Sequence, residues 1–268
     1  MRCNVAPVNR RFGGYIFDLD GTVYLGEKLL PGARETVGVL RAAGSRVVFL
    51  SNKPLQTRGD YAEKLTGLGI RTSAEEVINS SWVLTQWLVH KAAGASLFVI
   101  GEPPLLTELL EAGFRFTEQA DEIEFVVASF DRAFDYHKLQ IAFDAIRAGA
   151  RFIATNADRY CPVPDGGLPD AGAVIGAIEG CTAKPVEVVV GKPSPITVNA
   201  LLNHLQLAAE ECIIIGDRLE TDIRMGQESG MATAVVLTGV TTPALLAHSS
   251  IRPDYVLEQL SDLLGWCS

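Results

Sequence analysis

The sequence predicts an α/β protein whose doubly wound parallel sheet is interrupted by a second, smaller α/β domain. Two observations lead to this prediction. Short, almost continuously apolar segments alternate with segments of helical periodicity, which is typical of parallel strands covered on both faces by helices. Several of the apolar segments end directly in polar or acidic residues, at the strand ends where such sheets bind ligands.

Composition and charge limit the class of protein. The chain has 268 residues, of which 48% are hydrophobic and 21% charged, a balance typical of a globular protein with a sizeable core. The formal net charge of −9 argues against a nucleic acid or an anionic membrane as partner, because both select basic surfaces. No segment approaches about 18 apolar residues, and residues 1–14 lack an apolar signal segment, so we expect a cytoplasmic protein.

The cysteines give the same indication of compartment. Five are scattered along the chain without a C-x-x-C pair, which favours free thiols in a reducing environment over disulfides or a zinc site. These residues are Cys3, Cys161, Cys181, Cys212 and Cys267.

Both ends of the chain contribute elements to the larger, Rossmann-like core. Apolar, β-prone segments that stop at polar residues or glycine predict its strands. These strands are residues 15–19, 46–50, 187–190, 212–215, 232–237 and 254–256. Helical periodicity, in two cases followed by a glycine suited to a C-cap, predicts its helices. These helices are residues 32–43, 57–67, 196–205 and 221–229.

A second series of elements in the middle of the chain predicts the inserted domain. Its strands are residues 96–100, 125–128 and 151–154, and its helices are residues 104–112, 137–148 and 171–180. Residues 155–172 are polar and rich in proline and glycine, which predicts a shaped loop. We assign residues 1–79 and 187–268 to the core and residues 80–186 to the inserted domain.

The most informative segment is residues 15–22, where an apolar strand ends in two aspartates. Asp18 and Asp20 are two positions apart, so on a strand their side chains point to the same side. Two carboxylates in one crevice repel each other unless a cation lies between them or one holds a proton. The pattern therefore suits a Mg²⁺ site combined with a nucleophile and an acid, while an acidic turn after a strand is the alternative.

Three further strand ends carry polar residues that we expect in the same crevice. Ser51 and Asn52 offer hydrogen bonds suited to a phosphoryl oxygen, although such a pair is also common in turns and helix caps. Lys192 lies between a glycine and a proline, which favours a fixed positive charge over a solvated lysine. Asp217 follows another apolar strand, and Asp222 lies near a helix start where the helix dipole alone favours a carboxylate.

In this order, the motifs resemble the haloacid dehalogenase superfamily of phosphatases. The resemblance extends to its NagD-like branch, which carries a type IIA cap domain between the second and third motifs. The similar segments are residues 18–24, 51–52, 154–158, 176–179, 191–195, 216–222 and 236–240. Two departures, Lys53–Pro54 and Asp170, lie where the leaving group should bind. The cap sequence is closest in pattern to the sugar-phosphate phosphatases of the branch.

The resemblance implies a Mg²⁺-dependent phosphatase of small organic phosphomonoesters, with sugar phosphates as substrates and broad specificity. Asp18 would attack phosphorus and form an aspartyl phosphate, while Asp20 would act first as acid and then as base. The implied ligands of phosphate are Ser51, Asn52 and Lys192. The residues implied at the metal are Asp18, Asp20 through its carbonyl, Asp217 and Asp222, the last of which orients a metal-bound water or Lys192.

The inserted domain would close as a lid over the crevice and select the leaving group. We expect Asn156, Asp158 or Asp170 to face sugar hydroxyls, because amides and carboxylates suit them as hydrogen-bond partners. The oligomeric state is left open, with a homodimer as one option.

Several other functions remain as alternatives. One alternative is a phosphatase of the same branch that acts on nucleoside monophosphates or on phosphoglycolate. A dehalogenase is disfavoured by Asp20, because a halide leaving group needs neither an acid nor Mg²⁺. A catalytically idle regulatory binding protein is disfavoured by the complete set of catalytic groups. A nucleotide-dependent oxidoreductase is disfavoured because no G-x-G-x-x-G follows a strand.

Overall fold

The computed structural model describes residues 8–163 and 166–267. The chain divides into two compact units. The larger unit is discontinuous and consists of residues 1–51, 58–78 and 192–268. The smaller unit consists of residues 52–57 and 79–191. The α/β architecture that the sequence predicts is confirmed in both units.

A six-stranded sheet forms the centre of the larger unit. From one edge to the other its strands are Tyr255–Leu257, Ala232–Val236, Cys212–Gly216, Gly14–Asp18, Arg46–Ser51 and Val77–Asn79. The first five run parallel, and Phe17 lies opposite Ile215 on one side and Phe49 on the other. These three side chains are fully buried, because helices cover both faces of a parallel sheet.

Helices surround this sheet. They are Ala33–Ala42, Arg58–Gly67, Pro195–Leu205, Arg224–Ser229 and Pro243–His248. Shorter helical turns are Ala74–Glu76, Ala209–Glu211, Leu219–Ile223 and Leu260–Cys267. Two of the helices begin with proline, which needs no hydrogen-bond partner in the first turn. The predicted helix 221–229 is instead a wide turn of the π type, Leu219–Ile223, followed by Arg224–Ser229.

The smaller unit contains its own parallel sheet of five strands. Their order is Val188–Val189, Arg151–Ala154, Phe125–Ala128, Ser96–Ile100 and Arg115–Phe116. Its helices are Ser80–Ala92, Pro103–Glu111, Tyr136–Ala148 and Ala171–Thr182. Side chains cap two of these helices, since Asn79 accepts from the Trp82 amide at 2.9 Å and Asp135 from the Lys138 amide at 2.8 Å. Caps of this kind satisfy amides that have no partner within the helix.

One strand belongs to a different sheet from the one predicted. Residues 187–190 were expected in the larger sheet, whereas Val188 and Val189 pair with Ile153 and Ala154 of the smaller one. Residues 187–191 consequently belong to the smaller unit, and the chain returns to the larger unit at Lys192. Apolar patterning does not distinguish the two sheets, because a buried strand of either one needs the same residues.

The segment 155–172 also differs from the expectation of a loop. It contains an antiparallel pair of strands, Tyr160–Val163 and Gly166–Pro169, while residues 164 and 165 lie outside the described part of the chain. A second short pair, Tyr24–Leu25 and Lys28–Leu29, follows the acidic motif. Two-residue and four-residue strands rich in glycine and proline carry too little alternation to be recognised from sequence.

The described cysteines are free thiols: Cys161, Cys181, Cys212 and Cys267. Cys3 and residues 1–7, half of the segment 1–14 on which the signal-peptide prediction depends, lie outside the described residues. Within residues 8–163 and 166–267, none of the helices has the length and apolar character needed to cross a membrane.

Candidate active site

Asp18 meets three of the other predicted site residues at one edge of the larger sheet. Asp18 ends the strand Gly14–Asp18, and Asp217 follows its neighbour Cys212–Gly216. Because parallel strands end at the same edge, these side chains lie close together. Asp18, Asp217 and Asp222 each place one carboxylate oxygen within 4.8 Å of the others. The structure thus brings together three of the predicted metal-site residues.

Lys192 lies between two of these carboxylates. Its Nζ is 2.5 Å from Oδ1 of Asp18 and 2.7 Å from Oδ1 of Asp222. Burial acts to lower the pKa of Lys192, but the charges of Asp18 and Asp222 outweigh it and raise the pKa above its ordinary value. The two carboxylates therefore favour the charged form of Lys192. The second oxygen of Asp222 accepts from the Arg218 amide at 3.2 Å, so Asp222 joins Lys192 to the following loop.

The negative charge of the cluster exceeds its positive charge. Burial raises the pKa of Asp217 to about 7, and the charges of Asp18 and Asp222 act in the same direction. Burial likewise raises the pKa of Asp222 to about 6 against the opposing attraction of Lys192. A further cation bound beside such carboxylates would stabilise their charged form. Their oxygens are also the donors that Mg²⁺ prefers, so this residue set fits the metal.

Glycines make room for the Asp217 carboxylate. A Cβ at Gly21, whose φ is +84°, would lie 2.6 Å from Oδ2 of Asp217, and a Cβ at Gly239 would overlap the same oxygen. That oxygen accepts from the amide of Val240 at 2.6 Å. The close approach of two backbone segments fixes the carboxylate, and only glycine permits it at either position.

A tight turn carries Asp20 away from the strand. The amide of Tyr24 donates to the carbonyl of Leu19 at 3.2 Å, and the amide of Gly21 donates to the carbonyl of Tyr24 at 2.8 Å. The Thr22 hydroxyl reaches back to Oδ2 of Asp18 at 3.3 Å. Asp20 is half-buried in this turn.

Three partners of the carboxylates were not predicted from the sequence: the Thr22 hydroxyl and the backbone amides of Arg218 and Val240. A threonine four residues after an aspartate on a turn is a recognisable signal. A backbone amide gives no such signal, since nearly every residue carries a backbone N–H group.

The other predicted substrate residues lie at the neighbouring strand end and in the smaller unit. Ser51 ends the strand Arg46–Ser51 and is buried. Asn156 is fully buried, and its amide group donates to the Asn52 carbonyl at 3.0 Å and accepts from the Asp158 amide at 3.0 Å. Both polar atoms of Asn156 thus bond within the fold, and the prediction that Asn156, Asp158 or Asp170 faces sugar hydroxyls stays a prediction.

The two aspartates of this segment have different surroundings. Asp170 is buried and caps the helix Ala171–Thr182, accepting from the Ala171 amide at 2.6 Å. It is therefore also engaged within the fold. Asp158 is only half-buried and accepts from Nδ2 of Asn52 at 3.2 Å. Of the three predicted cap residues, Asp158 is the most exposed.

Comparison with known proteins assigns the family. Residues 15–115 match the model described as haloacid dehalogenase-like hydrolase, and residues 189–263 match a second model described as HAD-hydrolase-like. Sugar-phosphatase AraL of Bacillus subtilis is 40% identical over 250 residues, which cover 93% of this chain and 91% of that protein. The chain belongs to the haloacid dehalogenase-like hydrolases.

Solved structures place it more closely within this family. 4-Nitrophenylphosphatase from Thermotoga maritima superposes with a TM-score of 0.91 at 32% identity, covering 94% of this chain and 96% of that one. NagD from Escherichia coli superposes with a TM-score of 0.87 at 31% identity, covering 94% and 98%. The haloacid dehalogenase-like hydrolase described here is of the NagD-like type. It is a phosphomonoester hydrolase that acts on small phosphate substrates, as the sequence predicts.

The raised pKa of Asp170 generates a prediction about stability. Burial raises this pKa from 3.8 to about 6, and the nearby Asp158 acts in the same direction. The folded state therefore holds the proton more tightly than the unfolded state, so the contribution of Asp170 to stability falls as the pH rises from 4 to 6. Asp170→Asn keeps an acceptor for the Ala171 amide without the buried charge. It should raise the free energy of unfolding above pH 7 by about 1–3 kcal/mol.

Urea unfolding at pH 4 and pH 8 measures this effect. Asp170→Asn should give no gain at pH 4, where the native residue is protonated in the folded protein. The matched control is Asp135→Asn, which alters an exposed N-cap aspartate in the same unit. Equal stability of Asp170→Asn and the native protein at pH 8 would contradict the prediction.

Proposed function

We propose that this phosphatase is a Mg²⁺-dependent hydrolase of several sugar phosphates that works through an aspartyl-phosphate intermediate. The observation that carries the proposal is the buried cluster of Asp18, Asp217 and Asp222 around Lys192. A fixed ammonium suits an anionic phosphoryl group, and the surplus of carboxylates suits a divalent cation beside it.

Asp18 is the proposed nucleophile. Its Oδ1 lies beside Lys192 and its Oδ2 accepts from Thr22, so both contacts fix the orientation of the carboxylate and reduce its repulsion toward phosphate. An oxygen of Asp18 forms a bond to phosphorus while the bond from phosphorus to the ester oxygen breaks. The products of this step are an aspartyl phosphate and the leaving alkoxide.

Asp20 is the proposed acid and base. It gives its proton to the leaving oxygen in the first step and accepts a proton from water in the second. That water attacks the phosphorus of the aspartyl phosphate, which returns Asp18 as a carboxylate and releases inorganic phosphate. Across both steps one phosphomonoester and one water give one alcohol and one phosphate, and Asp20 ends in its starting protonation state.

Ser51 and Lys192 are the proposed ligands of the phosphoryl oxygens, together with the backbone of Asn52. Both side chains are buried at the catalytic edge of the sheet. Charge gathers on the equatorial oxygens in the transition state, and donors held in place beforehand stabilise that charge at no cost of reorganisation.

Mg²⁺ would be held by the carboxylates of Asp18 and Asp217 and by the carbonyl of Asp20, and would neutralise charge on the phosphoryl group. We assign Asp222 to the positioning of Lys192, because its two oxygens accept from Lys192 and from the Arg218 amide.

Two lines of support favour sugar phosphates over the alternatives. The relative at 40% identity is named a sugar phosphatase. In addition, residues 155–172 contain three aspartates and one arginine, a net charge of −2. Phosphoglycolate carries a carboxylate on its leaving group, which a negatively charged segment would repel. A sugar is neutral and rich in hydroxyls, and carboxylates bind hydroxyls well.

The nucleophile gives the most direct test. Asp18→Asn keeps the shape of the side chain but removes the attacking charge, so turnover of para-nitrophenyl phosphate should fall by at least about 10³-fold. Asp20→Asn should lose more activity on sugar phosphates than on para-nitrophenyl phosphate, because the phenolate leaves without a proton. Circular dichroism checks that both variants fold. Substantial turnover by Asp18→Asn, with deamidation excluded by mass spectrometry, would refute the mechanism.

Metal removal tests the cofactor. EDTA should abolish hydrolysis and Mg²⁺ should restore it, whereas Ca²⁺ should inhibit, because its higher coordination number would draw both Asp18 oxygens onto the metal. Asp217→Asn should raise the Mg²⁺ concentration needed for half-maximal activity. Asp121→Asn, which alters an exposed carboxylate, should leave that concentration unchanged. Full activity in EDTA is the contrary result.

Substrate selection is tested at Asp158. Asp158→Ala should lower kcat/KM for sugar phosphates and change their ranking, because a partner for sugar hydroxyls is lost. Para-nitrophenyl phosphate should be affected least, since its leaving group has no hydroxyl to bind. A panel of phosphomonoesters at fixed Mg²⁺ measures the ranking. Equal losses on aryl and sugar phosphates would assign Asp158 a structural role only.

A further inference from the structure

Asn156 is a buried amide whose two polar atoms both bond within the fold. It lies two residues after the end of the strand Arg151–Ala154 and is fully buried. Its Nδ2 donates to the Asn52 carbonyl at 3.0 Å, and its Oδ1 accepts from the Asp158 amide at 3.0 Å. An amide bonded on both sides, and held without rotational freedom, is suited to fixing its neighbours in place.

Asn52 is held from three directions within the smaller unit. The Ser80 hydroxyl, at the start of the helix Ser80–Ala92, donates to the same Asn52 carbonyl at 2.6 Å. The Asn52 side chain in turn donates to Oδ2 of Asp158 at 3.2 Å. Asn52 directly follows Ser51 in the chain, so these bonds restrict where Ser51 can lie.

A second segment packs against the same amide. The Gly191 amide donates to the Thr155 carbonyl at 2.8 Å. A Cβ at Gly191 would lie 2.6 Å from that carbonyl oxygen, 2.8 Å from Oδ1 of Asn52 and 3.1 Å from Cβ of Asn156. Glycine is therefore required by the close approach. Gly191 directly precedes Lys192, so this packing restricts the position of Lys192.

We propose that Asn156 is a positioning residue for catalysis. By binding Asn52 and packing beside Gly191, it sets the positions of Ser51 and Lys192 relative to each other without touching the substrate. The inference rests on the phosphate-binding roles proposed above for Ser51 and Lys192. Donors to a transition state act only when held within about half an ångström of the productive geometry, and the phosphoryl group is common to all substrates. Loss of Asn156 should therefore weaken hydrolysis of every phosphomonoester by the same factor.

Asn156→Asp tests the proposal with a side chain of equal size. It replaces the donor to the Asn52 carbonyl with an oxygen, which repels that carbonyl. We expect kcat/KM for para-nitrophenyl phosphate and for glucose 6-phosphate to fall together by about 10–100-fold. The inhibition constant of inorganic phosphate should rise by at least about 10-fold, because a free phosphate uses the same donors. That constant reports on phosphate binding alone, which a leaving-group contact would not change.

Two further variants keep the test decisive. Ser80→Ala removes the other donor to the Asn52 carbonyl and should raise the phosphate inhibition constant by about 2–10-fold, because one donor remains. It serves in place of Asn156→Asp should that variant fail to fold. Ile178→Val removes one methylene from the core of the smaller unit and should leave the phosphate inhibition constant unchanged, which separates positioning from a general loss of stability.

These measurements distinguish a positioning role of Asn156 from direct contact with the leaving group. An unchanged phosphate inhibition constant in both folded variants would overturn the proposal, as would a loss confined to glucose 6-phosphate, which would place Asn156 at the leaving group. If the native enzyme hydrolyses para-nitrophenyl phosphate but no sugar phosphate, the sugar-phosphate assignment fails. The comparison at Asn156 still holds in that case, because it depends on para-nitrophenyl phosphate and inorganic phosphate.

Discussion

The candidate active site depends on one interaction, the buried ammonium of Lys192 between the carboxylates of Asp18 and Asp222. Burying a charge is costly unless partners compensate it, and here the compensation is incomplete, because Asp217 adds a third carboxylate within 4.8 Å of the other two. Burial is the main cause of the raised pKa of Asp217, and it is joined by electrostatic repulsion from Asp18 and Asp222. A divalent cation bound there would relieve it, so metal binding and stability of the folded core should rise together.

Parallel-sheet geometry explains why residues far apart in the chain reach this cluster. Each neighbouring strand ends at the same edge, so a polar residue placed after an apolar segment arrives beside its counterparts. The smaller unit follows the same rule, since Thr155 and Asn156 succeed the strand Arg151–Ala154. Their use differs. Two strands of the larger unit end at the charged Asp18 and directly before the charged Asp217, while these residues of the smaller unit are neutral, fully buried and hydrogen-bonded to the protein. Charged side chains at strand ends can take part in a reaction, whereas neutral side chains that bond within the protein hold the neighbouring backbone in place.

Close backbone approach is the second constraint on the site. Gly21 and Gly239 leave space for the Asp217 carboxylate, and Gly191 leaves space for Asn52 and the Thr155 carbonyl. Each glycine adjoins a functional side chain in the chain or in space. A methyl group at any of them would move a carboxylate or a carbonyl by several tenths of an ångström, which is enough to misalign a preorganised site. The glycines lose backbone conformational entropy when the protein folds, and the close packing that they permit sets the geometry of the site.

The sequence by itself determined the fold class, the central strands and the residues that meet in the acidic cluster around Lys192. Asp18, Lys192 and Asp217 were predictable because each borders an apolar strand or a stiff loop, a signal contained within a few neighbouring residues. Tertiary structure alone decided the sheet to which Val188 and Val189 belong, the burial of Asn156 and the bond from the Val240 amide to Asp217. These features depend on pairing between residues far apart in the chain. Local pattern carries no record of such pairing, because the same apolar dipeptide, buried amide or backbone N–H satisfies many different partners.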